Sequence, residues 1–326
     1  MTDRRRERRK AEAGLRAFVR RVVDPVRGKG WRRADDADFE SRLVWLFGSP
    51  RSGSTWLLKL LGEQPGIATV NEPLIGEHLG PFMSDQPGIA AADLDESNFT
   101  LNRLRSEASV YFFAERYRHV WMPILGDLIR ERFRAHVAHR EGTRFVVIKE
   151  PHGSQAADMI LAAVPRSRLL FLLRDGRDVV DSELAAFSQG SWLSEAFGVV
   201  SGIGPQERLK LAEDAAHKWL WRTLAVEGAF ARHQGPKHVV RYEELRADPE
   251  GHLTSLVGWL GLDLDPDDVA RSVARLSFER IPQAQRGPNK IFRSAAPGAW
   301  RANLTEAEQG CVERIIGPKL RELGYE

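Results

Sequence analysis

Four uninterrupted runs of strand length punctuate the chain: Leu43–Phe47, Phe145–Ile148, Leu169–Leu173 and His238–Tyr242, with a weaker fifth at Ile67–Val70. The runs are continuous rather than alternating, so each strand is expected to be buried on both faces. A turn and a helix-like stretch follow each one, which reads as parallel strands joined by crossover helices. The pattern predicts an α/β fold, a single doubly wound domain around a central parallel sheet. Its ligand is expected beyond the carboxyl ends of the strands.

The remaining pattern outlines the domain, which is expected to span residues 37–326. Residues 76–140 lack strand signals and carry helical periodicity around Leu101–Ala114 and Ile124–Val137, marking a helical insertion. Residues 283–303 are rich in Gly, Pro and Arg and read as a long ordered loop or a lid. That loop ends at a helix announced by the capping box Thr305-Glu-Ala-Glu308. Ahead of the domain, residues 1–36 form a basic arm. Its Ala11, Leu15, Phe18, Val19 and Val22 fall at helical spacing, which predicts an amphipathic helix with a charged outer face.

Composition narrows the function. The chain has 326 residues, 42% hydrophobic and 29% charged, which is ordinary globular composition. Its one cysteine, Cys311, excludes an internal disulfide and a Cys-rich zinc site. No run approaches the ~20 apolar residues of a membrane span, and no signal-type apolar run follows the basic start, so a soluble cytoplasmic protein is expected. The net charge of +3 conceals an arm that carries 13 Lys or Arg against 4 Asp or Glu within residues 1–33. That arm lacks interleaved aromatic residues, so no nucleic-acid partner is expected. Oligomeric state is not readable from the pattern.

Two motifs carry candidate chemistry. The first strand leads into Gly48-Ser-Pro-Arg-Ser-Gly-Ser-Thr55 and then the helical Trp56-Leu-Leu-Lys-Leu-Leu61. A strand, a glycine-bearing loop and a helix together present backbone N–H groups and a positive dipole end to an anion. The spacing from Gly48 to Gly53 matches a nucleotide-hydrolase P-loop, but Ser54-Thr55 stands where Lys-Ser or Lys-Thr is required. Arg51 can instead bracket a smaller anion with its forked guanidinium. In the second motif, Leu173-Arg-Asp-Gly-Arg-Asp-Val-Val-Asp-Ser182, Arg174 sits at a strand end and Ser182 about two turns into the next helix. Two anion sites on neighbouring strands imply a ligand with two separated phosphate groups.

Ser49-Pro-Arg-Ser-Gly-Ser-Thr-Trp56 resembles the 5′-phosphosulfate loop of sulfotransferases that use 3′-phosphoadenosine-5′-phosphosulfate (PAPS), and Arg174 with Ser182 resembles their 3′-phosphate motif. Val240-Arg-Tyr-Glu-Glu-Leu245 is similar to the family's fifth-strand segment, Leu276-Ser-Phe278 to its adenine-side segment, and Arg293 to Arg301 in part to its C-terminal motif. The resemblance implies a P-loop nucleoside-triphosphate-hydrolase-like fold. It also implies that Arg51, Ser52, Gly53, Ser54 and Thr55 bind the 5′-phosphosulfate and that Trp56 and Phe278 flank the adenine, beside Ser277. Arg174, Ser182 and Arg293 would hold the 3′-phosphate, with Tyr242 nearby. Arg51 in the loop, rather than lysine, is more similar to the bacterial, carbohydrate and tyrosyl-protein branches.

For such a reaction PAPS is the co-substrate, PAP the product, and no metal is expected. Arg51 and Lys149 are the candidate cations for the transferred group. The acceptor needs a general base. Glu72, at the exit of the second strand, is the preferred candidate, His152 the rival and Glu150 a third. The expected acceptor is a hydroxyl or amine on a carbohydrate, lipid or small molecule. It would be held by residues 76–137 and 188–205, where Trp121, Trp192 and Phe197 are packing residues or a stacking platform. The competing readings are a P-loop-like kinase or hydrolase and a PAP-binding module without turnover.

Overall fold

All five apolar runs are strands in the computed structural model, which describes residues 35–83, 113–187, 204–277, 280, 283 and 296–326. Strands and helices alternate through the first part: α1 (Asp36–Ser41), β1 (Leu43–Phe47), α2 (Ser54–Gly62), β2 (Ile67–Asn71), α3 (Ile75–Met83), α4 (Arg118–Val137), β3 (Phe145–Lys149) and α5 (Ala157–Ala163). The chain continues through β4 (Arg168–Leu173), α6 (Gly176–Ala186), α7 (Pro205–Arg232), β5 (Lys237–Arg241), α8 (Tyr242–Ala247), α9 (Pro249–Leu260), α10 (Pro266–Arg275), α11 (Trp300–Asn303) and α12 (Glu306–Glu322). The sheet is parallel throughout, in the order β2-β3-β1-β4-β5.

Burial explains why the central runs do not alternate. No residue of β1 is more than 1% exposed. Leu43, Trp45 and Phe47 pack into one apolar layer with α4, α5, α6, α7 and α12, while Val44 and Leu46 pack into a second with α2, α9 and α10. The weaker run, β2, and the polar-bearing β5 are the sheet's edges. There a solvated margin tolerates Lys237, His238 and Arg241, and Val239 is left exposed.

Several strand ends lie one residue from the sequence reading, residues 300–303 of the expected loop are helical, and two further differences bear on the site and the core. Tyr242 is not the last residue of β5; it opens α8, behind Arg241 in extended conformation. The helix expected from Ile124 starts at Arg118 and contains Pro123. Burial of Trp121 and Met122 in the core outweighs the backbone bond that the proline removes. The Thr305 capping box is as expected, with the Glu308 N–H donating to Thr305 Oγ1 (3.3 Å) and the Glu308 carboxylate accepting from the Thr305 N–H (2.9 Å). Cys311 is buried and free. Among the described residues no helix is long and apolar enough to cross a membrane. The arm through residue 34, the Leu101–Tyr111 part of the insertion, Trp192, Phe197 and most of 283–295 lie outside the described residues.

Buried polar contacts tie the C-terminal segment to the sheet edge. Asp178 on α6 is 1% exposed and accepts the N–H groups of Gly298 (2.7 Å) and Trp300 (3.2 Å), while Asp181 accepts from the Asn303 side chain (3.0 Å). Burial pushes the Asp178 carboxyl up, and the two N–H bonds work against it. Asp178→Ala is expected to cost about 1–3 kcal/mol by stranding both donors. Chemical denaturation, with faster amide exchange at Gly298 and Trp300, checks this. At Gly48, where φ is +151°, an added Cβ would stand 2.3 Å from the Leu172 carbonyl oxygen. Gly48→Ala is therefore expected to cost about 2–4 kcal/mol. Gly258→Ala, in α9 with open space around it, should gain about 0.5–1 kcal/mol in the same urea titration.

Candidate active site

The parallel register decides which residues meet. Lys149, the last residue of β3, lies opposite Leu46 of β1 on one side and Asn71 of β2 on the other. On the far side of β1, Phe47 pairs with Phe171, and Leu173 at the end of β4 pairs with Arg241. The residues that follow the strands, from Gly48, Glu72, Glu150, Arg174 and Tyr242 onward, therefore arrive at one edge.

The loop from β1 to α2 turns sharply. Arg51 has φ +67° and Gly53, the N-cap of α2, has φ +87°. Only glycine fits at 53, because a Cβ would lie 2.5 Å from the Tyr242 ring. No side chain caps α2, so the first N–H groups of the helix, at Ser54 and Thr55, open toward the loop. Ser52 is 1% exposed, and its hydroxyl has no partner among the described residues.

The second motif closes on the first. An Nη1 hydrogen of Arg174 donates to the carbonyl of Arg51 (2.7 Å), and Arg51 Nε donates to Ser182 Oγ (3.1 Å). The Arg174 guanidinium lies 4.4 Å from the centre of the Tyr242 ring, and its buried Nε has no partner among the described residues. Burial pushes the Tyr242 hydroxyl up in pKa, opposed by the Arg174 charge. Trp56 stands edge-on to Tyr242 at 6.4 Å, and its indole N–H donates to the Leu276 carbonyl (3.0 Å), drawing Ser277 to the same side. Phe278 and Arg293 lie outside the described residues.

A second cluster joins the exit of β2, the end of β3 and the first turn of α2. Lys149 is 3% exposed; its ammonium donates to Thr55 Oγ1 (2.8 Å) and pairs with Glu72 Oε1 (2.8 Å). The Glu72 side chain keeps 30% of its surface exposed, so this carboxylate pairs with the lysine and still meets solvent. Its backbone is unusual. Glu72 has φ +47° and Leu74 φ +60°, on either side of Pro73, positions that cost on the order of 1–3 kcal/mol each. His152 lies half-buried in the turn after Pro151.

Glu150 stands apart from the other base candidates. It is fully buried, and its two oxygens accept the N–H groups of Gly76 and Leu74, both at 3.0 Å. Burial pushes its carboxyl up to about 7, against the pull of those two bonds, and Glu72 and Glu77 add to the rise.

Three supporting residues escaped the sequence reading. Ser154 Oγ accepts the Gly48 N–H (3.0 Å), and its hydrogen lies within reach of the carbonyls of Gly48 (2.8 Å) and Glu150 (3.1 Å). Trp219 of α7 donates its indole N–H to the Arg174 carbonyl (3.2 Å). Glu243 accepts the Asp175 N–H (2.9 Å), at the turn that aims Arg174. No local pattern marks Ser154 or Trp219, whereas Glu243 sits inside a segment already singled out. Trp121, read as packing or as a stacking platform, is a packing residue: it is 5% exposed and stands edge-to-face with Phe113 at 6.0 Å.

Comparison with known proteins gives the family and the fold. The model of the sulfotransferase family matches residues 44–266. The nodulation protein NoeE of Sinorhizobium fredii is 25% identical over 297 residues; the alignment covers 87% of this chain and 66% of the relative, a little under two thirds of its length. Mouse sulfotransferase SULT7A1, solved in complex with PAP, superposes with a TM-score of 0.54 at 15% identity, covering 91% of this chain and 92% of its own. Sulfotransferase STF9 from Mycobacterium avium gives a TM-score of 0.50 at 15% identity, covering 96% of this chain and 82% of its own. The structural likeness carries the P-loop-like fold, and the family match, running from β1 to the first residue of α10, carries descent: this chain belongs to the sulfotransferase family.

Proposed function

We propose that this sulfotransferase moves a sulfuryl group from PAPS to a hydroxyl, or an amine, of a carbohydrate, lipid or small-molecule acceptor. The observation that carries the reading is the contact between the two cationic motifs, Arg174 on the Arg51 carbonyl and Arg51 on Ser182. Motifs that meet in this way can serve the two phosphate groups of one nucleotide. The donor set fits such an anion. Among the described residues Ser52 Oγ and Arg174 Nε are buried without partners, next to a helix start that no side chain caps, and phosphate or sulfate oxygens would satisfy all of them.

In this reading Arg51 to Thr55 hold the 5′-phosphosulfate, and Arg174 and Ser182 the 3′-phosphate. Trp56 flanks the adenine, with Tyr242 and Ser277 beside it; Phe278 and Arg293 keep the roles that the resemblance implies. PAPS supplies an activated sulfuryl group whose charge shifts toward the leaving phosphate during transfer. Lys149 and Arg51 meet that charge as preorganised donors, which removes the need for a cation to move during the reaction. Glu72 takes the proton of the acceptor as the sulfur–oxygen bond to the acceptor forms and the bond to the 5′-phosphate breaks, releasing PAP. Lys149 links the two halves, since one ammonium touches both the Glu72 carboxylate and Thr55 of the phosphosulfate loop.

Glu72→Gln is expected to lower kcat by about 10²–10⁴-fold while PAP affinity, read by calorimetry, stays within about twofold. Turnover near the parent level in that variant would transfer the base role to His152. Arg174→Ala is expected to weaken PAP binding by about 10–150-fold, the loss of a charge-assisted contact of about 1.5–3 kcal/mol. Tight binding of ATP with magnesium and none of PAP would overturn the donor assignment in favour of a kinase or hydrolase. Absence of labelled-sulfate transfer to every member of a hydroxyl- and amine-bearing acceptor panel would leave a PAP-binding module.

A further inference from the structure

Two non-glycine residues with positive φ, Glu72 and Leu74, flank Pro73 in the turn that carries the acceptor-side carboxylate. Such a turn relaxes unless its backbone is held from outside. On one side the Glu72 N–H donates to the Lys149 carbonyl (2.9 Å). On the other, the two N–H groups after the turn, at Leu74 and Gly76, both end on the side chain of Glu150. Gly76 itself admits no side chain, since a Cβ would lie 2.1 Å from the Gly153 carbonyl oxygen.

Resting on the reading of Glu72 as the base, we propose that Glu150 is a positioning residue that fixes the Glu72 turn against Lys149 by accepting both backbone donors at once. The chemistry requires a carboxylate. Two N–H groups converge on two oxygens, and a carboxamide offers one oxygen and sets its NH2 donor against the second N–H. Glu150 is fully buried and next in sequence to Lys149, so the same short segment carries the ammonium that pairs with Glu72 and the acid that shapes the Glu72 turn. This accounts for a buried acid in the site whose two oxygens are both taken by backbone N–H groups.

Protonation would weaken the device. The groups that face Glu150 are Glu72 from the β2 exit and Glu77 from α3, both raising its pKa, with the Leu74 and Gly76 N–H groups lowering it. The balance, dominated by burial, stands at about 7. The carboxylate form is the one that accepts both donors, so positioning is complete above that value and is lost as pH falls through it.

Glu150→Gln in the full chain tests the assignment with little change of volume. The expected result is a kcat lower by about 10–100-fold, with the PAPS KM and PAP affinity within about twofold, and loss of the acidic limb near about pH 7 that the parent shows. Glu150→Asp retains the charge one methylene short; it keeps the limb at reduced kcat and stands in if the amide variant does not fold. Amide exchange at Leu74 and Gly76, and the Glu72–Lys149 distance in a crystal structure of the variant, need no turnover. They therefore judge the positioning even if PAPS proves not to be the donor. Unchanged exchange and an unchanged 2.8 Å ion pair would overturn the proposal. A parent-like kcat and pH profile would overturn it as well, whereas a parent enzyme with no sulfuryl transfer would overturn the functional reading alone.

Discussion

A buried ammonium needs partners, and at Lys149 those partners come from two other stretches of chain. The group is 3% exposed, which without compensation would cost several kcal/mol in lost hydration. Glu72 supplies the counter-charge and Thr55 an acceptor oxygen. Satisfying one side chain thus joins the exit of β2, the end of β3 and the first turn of α2. The joint is possible because the sheet order puts β3 between β2 and β1, and because the register sets Lys149 opposite both Asn71 and Leu46. A shift of one residue in β3 would turn the lysine to the other face, into an apolar layer.

The opposite side of β1 repeats the logic with guanidinium groups. Arg174 leaves β4 where Leu173 pairs with Arg241 and stacks against Tyr242, the residue after that partner. Its carbonyl accepts from Trp219, and the N–H of Asp175 donates to Glu243. Strand ends fix where each cation starts, and helices packed behind them fix where it points. The sheet core supplies rigidity, because β1 has no solvated face and Ser154 ties its exit at Gly48 to the turn after β3. Sites built on such supports are preorganised.

Much of this was legible in the chain because the relevant signals are local. Buried strands are continuous apolar runs, and the loop after Phe47 and the segment after Leu173 carry glycine, arginine and serine at spacings that imply anion binding. Even the weakness of the run at β2 has a physical source, since it is a sheet edge. What was not legible is long-range. Ser154 meets Gly48, Trp219 meets Arg174, and Asp178 meets Gly298 across separations that no periodicity encodes. Glu150 was visible as an acid beside the lysine and was read as a third base. Its burial and its two backbone donors depend on where Leu74 and Gly76 lie. Trp121 shows the converse, since an aromatic residue in a helical insertion reads equally as platform or packing until its burial is known.

The choice of arginine at position 51 follows from the contacts it must make. Its carbonyl accepts from Arg174 while its Nε donates to Ser182, so the residue joins the two motifs through both backbone and side chain. A guanidinium can spend Nε on that link and still direct its two terminal nitrogens elsewhere in the same plane, because its five donors are held in a rigid fork. A lysine brings three donors on one atom, and an ammonium drawn to Ser182 would carry its whole charge there. The positive φ of Arg51 fits this double contact: its carbonyl meets Arg174 and its side chain meets Ser182 of α6 from one position. With lysine in its place, the two motifs could each retain an anion, but the side-chain link that sets their spacing would be lost.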